Sequence, residues 1–199
     1  MVVSIFISHF FHDGEALHLF EEQMADMATI DWALTELGGF RMGPFALMDL
    51  IGHDVNYVVT ETVWKQFYYD PRFRPSLSQK RLLDAGWLGR KSGRGFYDYR
   101  SGATLPEPTR DEVLGRAIVD RVVAMLINEA ADAVYRGIGS ESDVETAMLK
   151  GVNYPKGLIA WGREWGWTTV RDRIEALHRR TGDARYRVCP WIHDQISAQ

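Results

Sequence analysis

A chain of 199 residues, 46% apolar and 25% charged, has enough apolar side chains to bury a core, and disorder is not expected. Its formal net charge of −4 supplies no basic field for a phosphate backbone and argues against nucleic-acid binding. Cys189 is the single cysteine, which excludes an intrachain disulfide and a cysteine-based metal site and suits a reducing cytoplasm. The apolar opening, residues 1–11, is too short for a membrane span and lacks the basic flank and cleavage site of a secretion signal. A cytoplasmic protein with no membrane partner is expected.

Helical periodicity dominates from the start. Ala16, Leu17, Phe20 and Met24 recur every three or four residues and share one helical face. Asp26 is a candidate N-cap for a second helix carrying Ile30, Ala33, Leu34 and Leu37, which Gly38 and Gly39 stop. Pro44 suits the first position of a long third run through Phe45, Met48, Ile51, Val55, Val59 and Phe67, with Gly52 as a break or bend and Asp70-Pro71 as its end. A fourth helix is predicted from Ser76 to Ala85.

The glycine-rich loop 89–95 follows, then Phe96, Tyr97 and Tyr99 as a short extended plug. Gly102, Pro106 and Pro108 mark a linker, and helical spacing resumes at Ile118, Val122, Met125, Leu126 and Ala130. The expected division is a first repeat over 1–100, a linker over 101–110 and a second, degenerate repeat over 111–199.

The second half repeats the first. Glu15-Ala16 matches Glu129-Ala130, Ile30 matches Val144, Gly43 matches Gly157 and Gly52 matches Gly166, all 114 residues apart. The register then slips by one, so that Asp70-Pro71-Arg72-Phe73-Arg74 matches Asp183-Ala184-Arg185-Tyr186-Arg187. Asp26 and Ser140 are equivalent N-caps. The expectation is an all-α chain of two copies of one helical unit, packed across a pseudo-twofold as a pseudo-dimer.

No sequence feature marks a catalytic group or a metal site. The loop 89–95 is not a P-loop, because Lys91-Ser92 precede Gly93 and no strand leads in, and it is not a dinucleotide fingerprint, because Phe96-Tyr97-Asp98 follows Gly95. It reads either as a turn delivering Phe96 and Tyr97 into the core or as a phosphate contact through Arg90, Lys91 and Arg94. His9, His12 and His18 lack further ligands at metal-binding spacing. Glu21-Glu22 and Glu141 with Asp143 fall at capping or outer-face positions. Trp161, Trp165 and Trp167 read as core and interface filling, or as an apolar ligand surface.

Gly38-Gly39-Phe40-Arg41-Met42-Gly43-Pro44-Phe45, continuing into Asp49-Leu50-Ile51-Gly52-His53-Asp54, resembles the C-terminal domain of 3-hydroxyacyl-CoA dehydrogenases, and so does Gly89-Arg90-Lys91-Ser92-Gly93-Arg94-Gly95-Phe96-Tyr97. The tandem copy looks like the longer bacterial members, including 3-hydroxybutyryl-CoA and phenylacetate-pathway enzymes. In that family a Rossmann domain comes first and supplies the NAD site and a catalytic His-Glu pair, none of which this sequence contains. The family's Asn-Arg positions, whose Asn touches the substrate, fall on Phe6 and Ile7. His9-Phe10-Phe11 is a chance likeness to the catalytic His-Phe-Phe, placed just ahead of the first helix and lacking the Asn-Pro that follows in the family.

The resemblance implies a substrate-binding and dimerising part of an NAD-dependent 3-hydroxyacyl-CoA dehydrogenase, inactive alone, with no cofactor of its own. NAD would enter only with a separate Rossmann domain in trans. Implied partners are a second copy of the chain and an acyl-CoA thioester, whose acyl end would meet Met42, Pro44 and Leu47 unless these merely pack the first repeat. The alternative is a non-catalytic helical binding or assembly module.

Overall fold

The computed structural model describes residues 2–198, with side chains from His12 onward. The side chains of Phe6, Ile7, His9, Phe10 and Phe11, invoked above, lie outside those described. Ten α-helices account for most of the described residues, which contain no strand, only isolated bridges of Arg94 with Gly89 and with Asp98. The described chain falls into two compact units, one of His12–Val119 and the other of the residues before His12 together with those from Asp120 onward.

In the first repeat α1 (Val2–Glu21) is followed by α2 (Met27–Trp32), and the same coil continues as a π-helical turn over Ala33–Leu37. Asp26 caps α2 through the Thr29 amide at 2.8 Å, satisfying one of the donors that a helix start leaves open. Then come α3 (Pro44–Ile51), α4 (His53–Gln66), a 3-10 turn at Pro71–Phe73 and α5 (Leu77–Asp84). Pro44 opens α3 as its spacing predicts, and Ser76 and Ala85 are the two caps of α5. Gly52 breaks the long run in two: its φ of 101° lies where side chains are strained. Helix α1 begins at Val2, so His9, Phe10 and Phe11 lie within it and not ahead of it as the sequence reading had them. The apolar stretch that opens the chain thus continues one helix without interruption. Ala16, Leu17, Leu19, Ile30, Leu34, Phe45 and Met48 form the core.

The second repeat takes the same elements in the same order. After α6 (Glu112–Tyr135) come α7 (Glu141–Thr146), a second π-helical turn at Ala147–Gly151, α8 (Leu158–Trp165), α9 (Trp167–Thr181), a 3-10 turn at Ala184–Tyr186 and α10 (Pro190–Ser197). Met27 and Glu141, Ala33 and Ala147, Pro44 and Leu158, and His53 and Trp167 all open equivalent elements 114 residues apart. The one-residue slip sits in the turn after the fourth helix of each set. There the first copy uses Tyr68 and Tyr69 at positive φ, whereas the second makes the turn with Gly182. Ser140 caps α7 in a reciprocal box with Asp143. Every residue from 121 to 130 is buried, as expected of a helix stretch with apolar groups on all sides. Trp167 fills this core, its ring edge-on to Trp191 at 5.1 Å, and Trp161 packs edge-on to Trp165 at 6.2 Å. The thiol of Cys189 is buried and pushed up to about 11, so it carries little thiolate at neutral pH.

Candidate functional site

The start of α3 is built by a carboxylate from α2. Asp31 accepts hydrogen bonds from the amides of Phe45 at 2.9 Å and Ala46 at 3.0 Å, and a third at 2.9 Å from the Tyr97 hydroxyl. Burial raises its pKa to about 6 against the lowering effect of these donors. The same burial and the neighbouring Asp31 push the Tyr97 phenol well above its ordinary range. Gly43 is required here, because a Cβ would lie 2.3 to 2.5 Å from Asp31 side-chain atoms. The second repeat keeps the device with a longer acid. Glu145 accepts from the Ile159 amide at 2.6 Å, and Gly157 leaves the room.

At the other end of α3, Asp49 organises the glycine-rich loop. Its carboxylate accepts from the amides of Phe96 and Tyr97, each at 2.9 Å, and lies 2.7 Å from His53 Nε2, with both side chains fully buried. A Cβ on Gly89 would sit 2.2 Å from the Asp49 carbonyl oxygen, and one on Gly95 2.0 Å from its carboxylate. The glycines therefore let the loop backbone close onto Asp49. Phe96 is thereby delivered edge-on to Phe45 at 4.7 Å, and Tyr97 is buried.

The three loop cations already have local contacts. Arg94 stacks over Trp87 at 3.5 Å, Arg90 lies over Tyr99 at 5.5 Å, and Lys91 is ion-paired with Asp54, holding that carboxyl below its usual range. Arg90 and Lys91 are exposed and Arg94 is half-buried. Of the three residues singled out at α3, Pro44 is buried and Met42 and Leu47 are half-buried. The loop packs against α3 at Asp49 and Met42 and Pro44 lie at its start, so five residues of helix, about 7.5 Å of rise, separate Pro44 from the loop, with Leu47 between them.

Sequence reasoning passed over Asp31, Asp49 and His53 as functional groups. Asp31 was marked by its acidic counterpart Glu145 at the repeat offset. Asp49 was not, since Arg163 occupies the equivalent position. These groups support a shape and offer no nucleophile or paired acid and base open to solvent. Nor do they fit a dinucleotide: no strand leads into the loop, the amides of Gly89, Ser92, Gly93, Arg94 and Gly95 donate to nearby backbone carbonyls, and Gly89 and Gly95 close onto Asp49, a carboxylate that would repel a pyrophosphate. No three His, Cys, Asp or Glu side chains cluster for a metal ion among the described residues.

The sequence profile described as "3-hydroxyacyl-CoA dehydrogenase, C-terminal domain" matches residues 7–99 and again 118–199. This chain belongs to the 3-hydroxyacyl-CoA dehydrogenase family. It is 32% identical to the 3-hydroxyadipyl-CoA dehydrogenase of Escherichia coli K12, in an alignment covering 92% of this chain and 56% of that protein. The crystal structure of 3-hydroxybutyryl-CoA dehydrogenase from the same organism aligns with a TM-score of 0.87 at 30% identity, over 96% of this chain and 58% of that one. A 3-hydroxybutyryl-CoA dehydrogenase of Bradyrhizobium diazoefficiens is 38% identical over 97 residues, 49% of this chain and 32% of that protein. The chain thus spans little more than half the length of these E. coli relatives. Among its described residues no helix is long and apolar enough to cross a membrane.

Proposed function

We propose that this chain is the helical, substrate-facing part of an NAD-dependent 3-hydroxyacyl-CoA dehydrogenase, and that it needs a dinucleotide-binding domain to turn over. The observation that carries this reading is the family match over both repeats, 7–99 and 118–199. The names of its relatives point to short acyl-CoA thioesters as the substrate class. Met42 and Leu47 would line the acyl end, with Pro44 fixing the start of α3 beneath them. Arg90 and Lys91, exposed on a loop held by Asp49, would meet phosphate groups of the CoA, and Arg94 would brace that loop against Trp87.

Hydride transfer needs a nicotinamide and a general base fixed against the substrate carbon, and preorganisation of that kind cannot come from the helical residues described above. NADH absorbance followed with acetoacetyl-CoA tests the reading directly. The chain alone is expected to give no turnover, and turnover is expected once a Rossmann domain from a related enzyme is added. Absence of turnover in both, with retained thioester binding, would favour a non-catalytic binding module instead. We further propose a homodimer, which light scattering at micromolar concentration would report as twice the chain mass; a monomer would reject it.

A further inference from the structure

The duplication acts as an internal control on what the fold requires. The glycines at 43 and 157, the carboxylates at 31 and 145, and the buried arginines at 72 and 185 recur because packing demands them, and the glycines at 52 and 166 because both take a positive φ. One recess is lined differently. It measures about 310 Å3 and lies within the first unit, among the end of α1, α4 and the start of α5. His18, Glu21, Tyr57, Ser76 and Lys80 around it stand where the second repeat has Asp132, Tyr135, Arg171, Cys189 and His193, and only Arg74 keeps its counterpart, Arg187.

Pairing inside the recess leaves one cation over. Glu21 accepts hydrogen bonds from the Ser76 hydroxyl at 2.6 Å and the Ser78 amide at 3.0 Å, and His18 Nδ1 lies 4.0 Å from it. Lys80 is ion-paired with Asp84 and lies 5.7 Å from the centre of the Tyr57 ring. Arg74 is exposed, and its guanidinium makes no ion pair or hydrogen bond among the described residues. A guanidinium presents a planar fork that matches a carboxylate. Tyr57, Pro75 and Leu77 give the recess its apolar wall, Leu77 remaining 58% exposed. The Glu21 carboxylate is taken up by the Ser76 hydroxyl and the Ser78 amide, and it opposes a dianion such as phosphate more than a monoanion.

We propose that this recess binds a small monocarboxylic acid, its carboxylate on Arg74 and its hydrocarbon body against Tyr57, Pro75 and Leu77. The proposal does not rest on the thioester reading above, since it uses none of the residues assigned there. Calorimetry on the full chain with hexanoate, inorganic phosphate and hexylamine tests it. Hexanoate is expected to bind at one site per chain, and Arg74→Gln to weaken it about tenfold or more through loss of a charge-assisted fork. Leu77→Asn is expected to weaken hexanoate severalfold. Because both side chains are exposed, the two variants are expected to keep the thermal unfolding midpoint of the parent, which separates loss of the site from loss of the fold. The proposal is overturned if hexanoate gives no heat at millimolar concentration, if Arg74→Gln binds it as well as the parent does, or if phosphate or hexylamine binds as tightly as hexanoate.

Discussion

Asp31 accepts hydrogen bonds from two amides and a phenol, yet burial outweighs all three and its pKa rises to about 6 from the ordinary 3.8. Folding therefore disfavours the ionised form. The sign follows from linkage: the stability this group contributes is complete below its unfolded pKa and is lost as the pH climbs through about 6. Asp31→Asn removes that titration while keeping an acceptor for the helix start. Measured by urea unfolding, the stability of Asp31→Asn minus that of the parent should rise between about pH 4 and about pH 6 and level off above. A difference independent of pH would mean that Asp31 is not held in the apolar setting described. The paired glycines give a second comparison. In Gly43→Ala the new methyl meets the root of a short side chain, Asp31 Cβ, at 2.4 Å, whereas in Gly157→Ala it meets the tip of the longer Glu145. Glu145 can swing away by giving up its bond to Ile159. Both substitutions should cost stability within the usual overpacking range of about 1–3 kcal/mol, with Gly43→Ala the more costly.

Among the elements, capping chemistry was readable from residues close in the chain. Asp26, Pro44, Gly52, Ser76 and Ser140 each act within a few positions of themselves, and each ends or opens a helix as its type predicts. The two π-helical turns were not readable, because passing from i→i+4 to i→i+5 bonding, as in Gly38 N–H to Ala33 C=O at 3.0 Å, requires no particular residue. The start of α1 was missed because Ser4, Ser8 and His9 are too few among the apolar residues of the opening stretch to mark a face from which a boundary could be drawn. The loop 89–95 was legible as a turn feeding an aromatic plug, but its anchor lies 47 and 48 residues away in Asp49. No local pattern announces such a contact. Asp49→Ala would leave the amides of Phe96 and Tyr97 and the His53 ring without their acceptor in a fully buried place. We expect a loss of about 3 kcal/mol or more. Amide exchange at Phe96 and Tyr97 should accelerate well beyond exchange in α7, which has no part in this site. Equal acceleration everywhere would point to global loosening in place of release of the plug.

Across the whole molecule, the sustained offset of 114 residues was the most informative feature of the sequence, because it uses many special positions at once and is indifferent to uncertainty at any one of them. It anticipated two copies of one helix order, and the family profile matches the chain in two stretches accordingly. The division at 101–110 is a further proposal that physical handling of the chain can examine. Residues 101–107 are exposed and lie outside any helix, whereas the Thr109 amide donates to the Thr29 hydroxyl at 2.9 Å and Asp111 accepts from the Val113 and Leu114 amides at the entry to α6. A protease needs several consecutive residues free to extend into its cleft, so it should find them before Thr109 and not after. With a broad-specificity protease at low ratio, the first cut is expected within 101–107, giving two fragments of similar size that mass spectrometry would place to the residue. Thr29→Val removes the hydroxyl that ties Thr109 down and should let cleavage spread toward residue 111 without moving the first site. An initial cut inside α6, or one between Asp70 and Ser76, would place the weakest point of the chain elsewhere and reject the linker assignment.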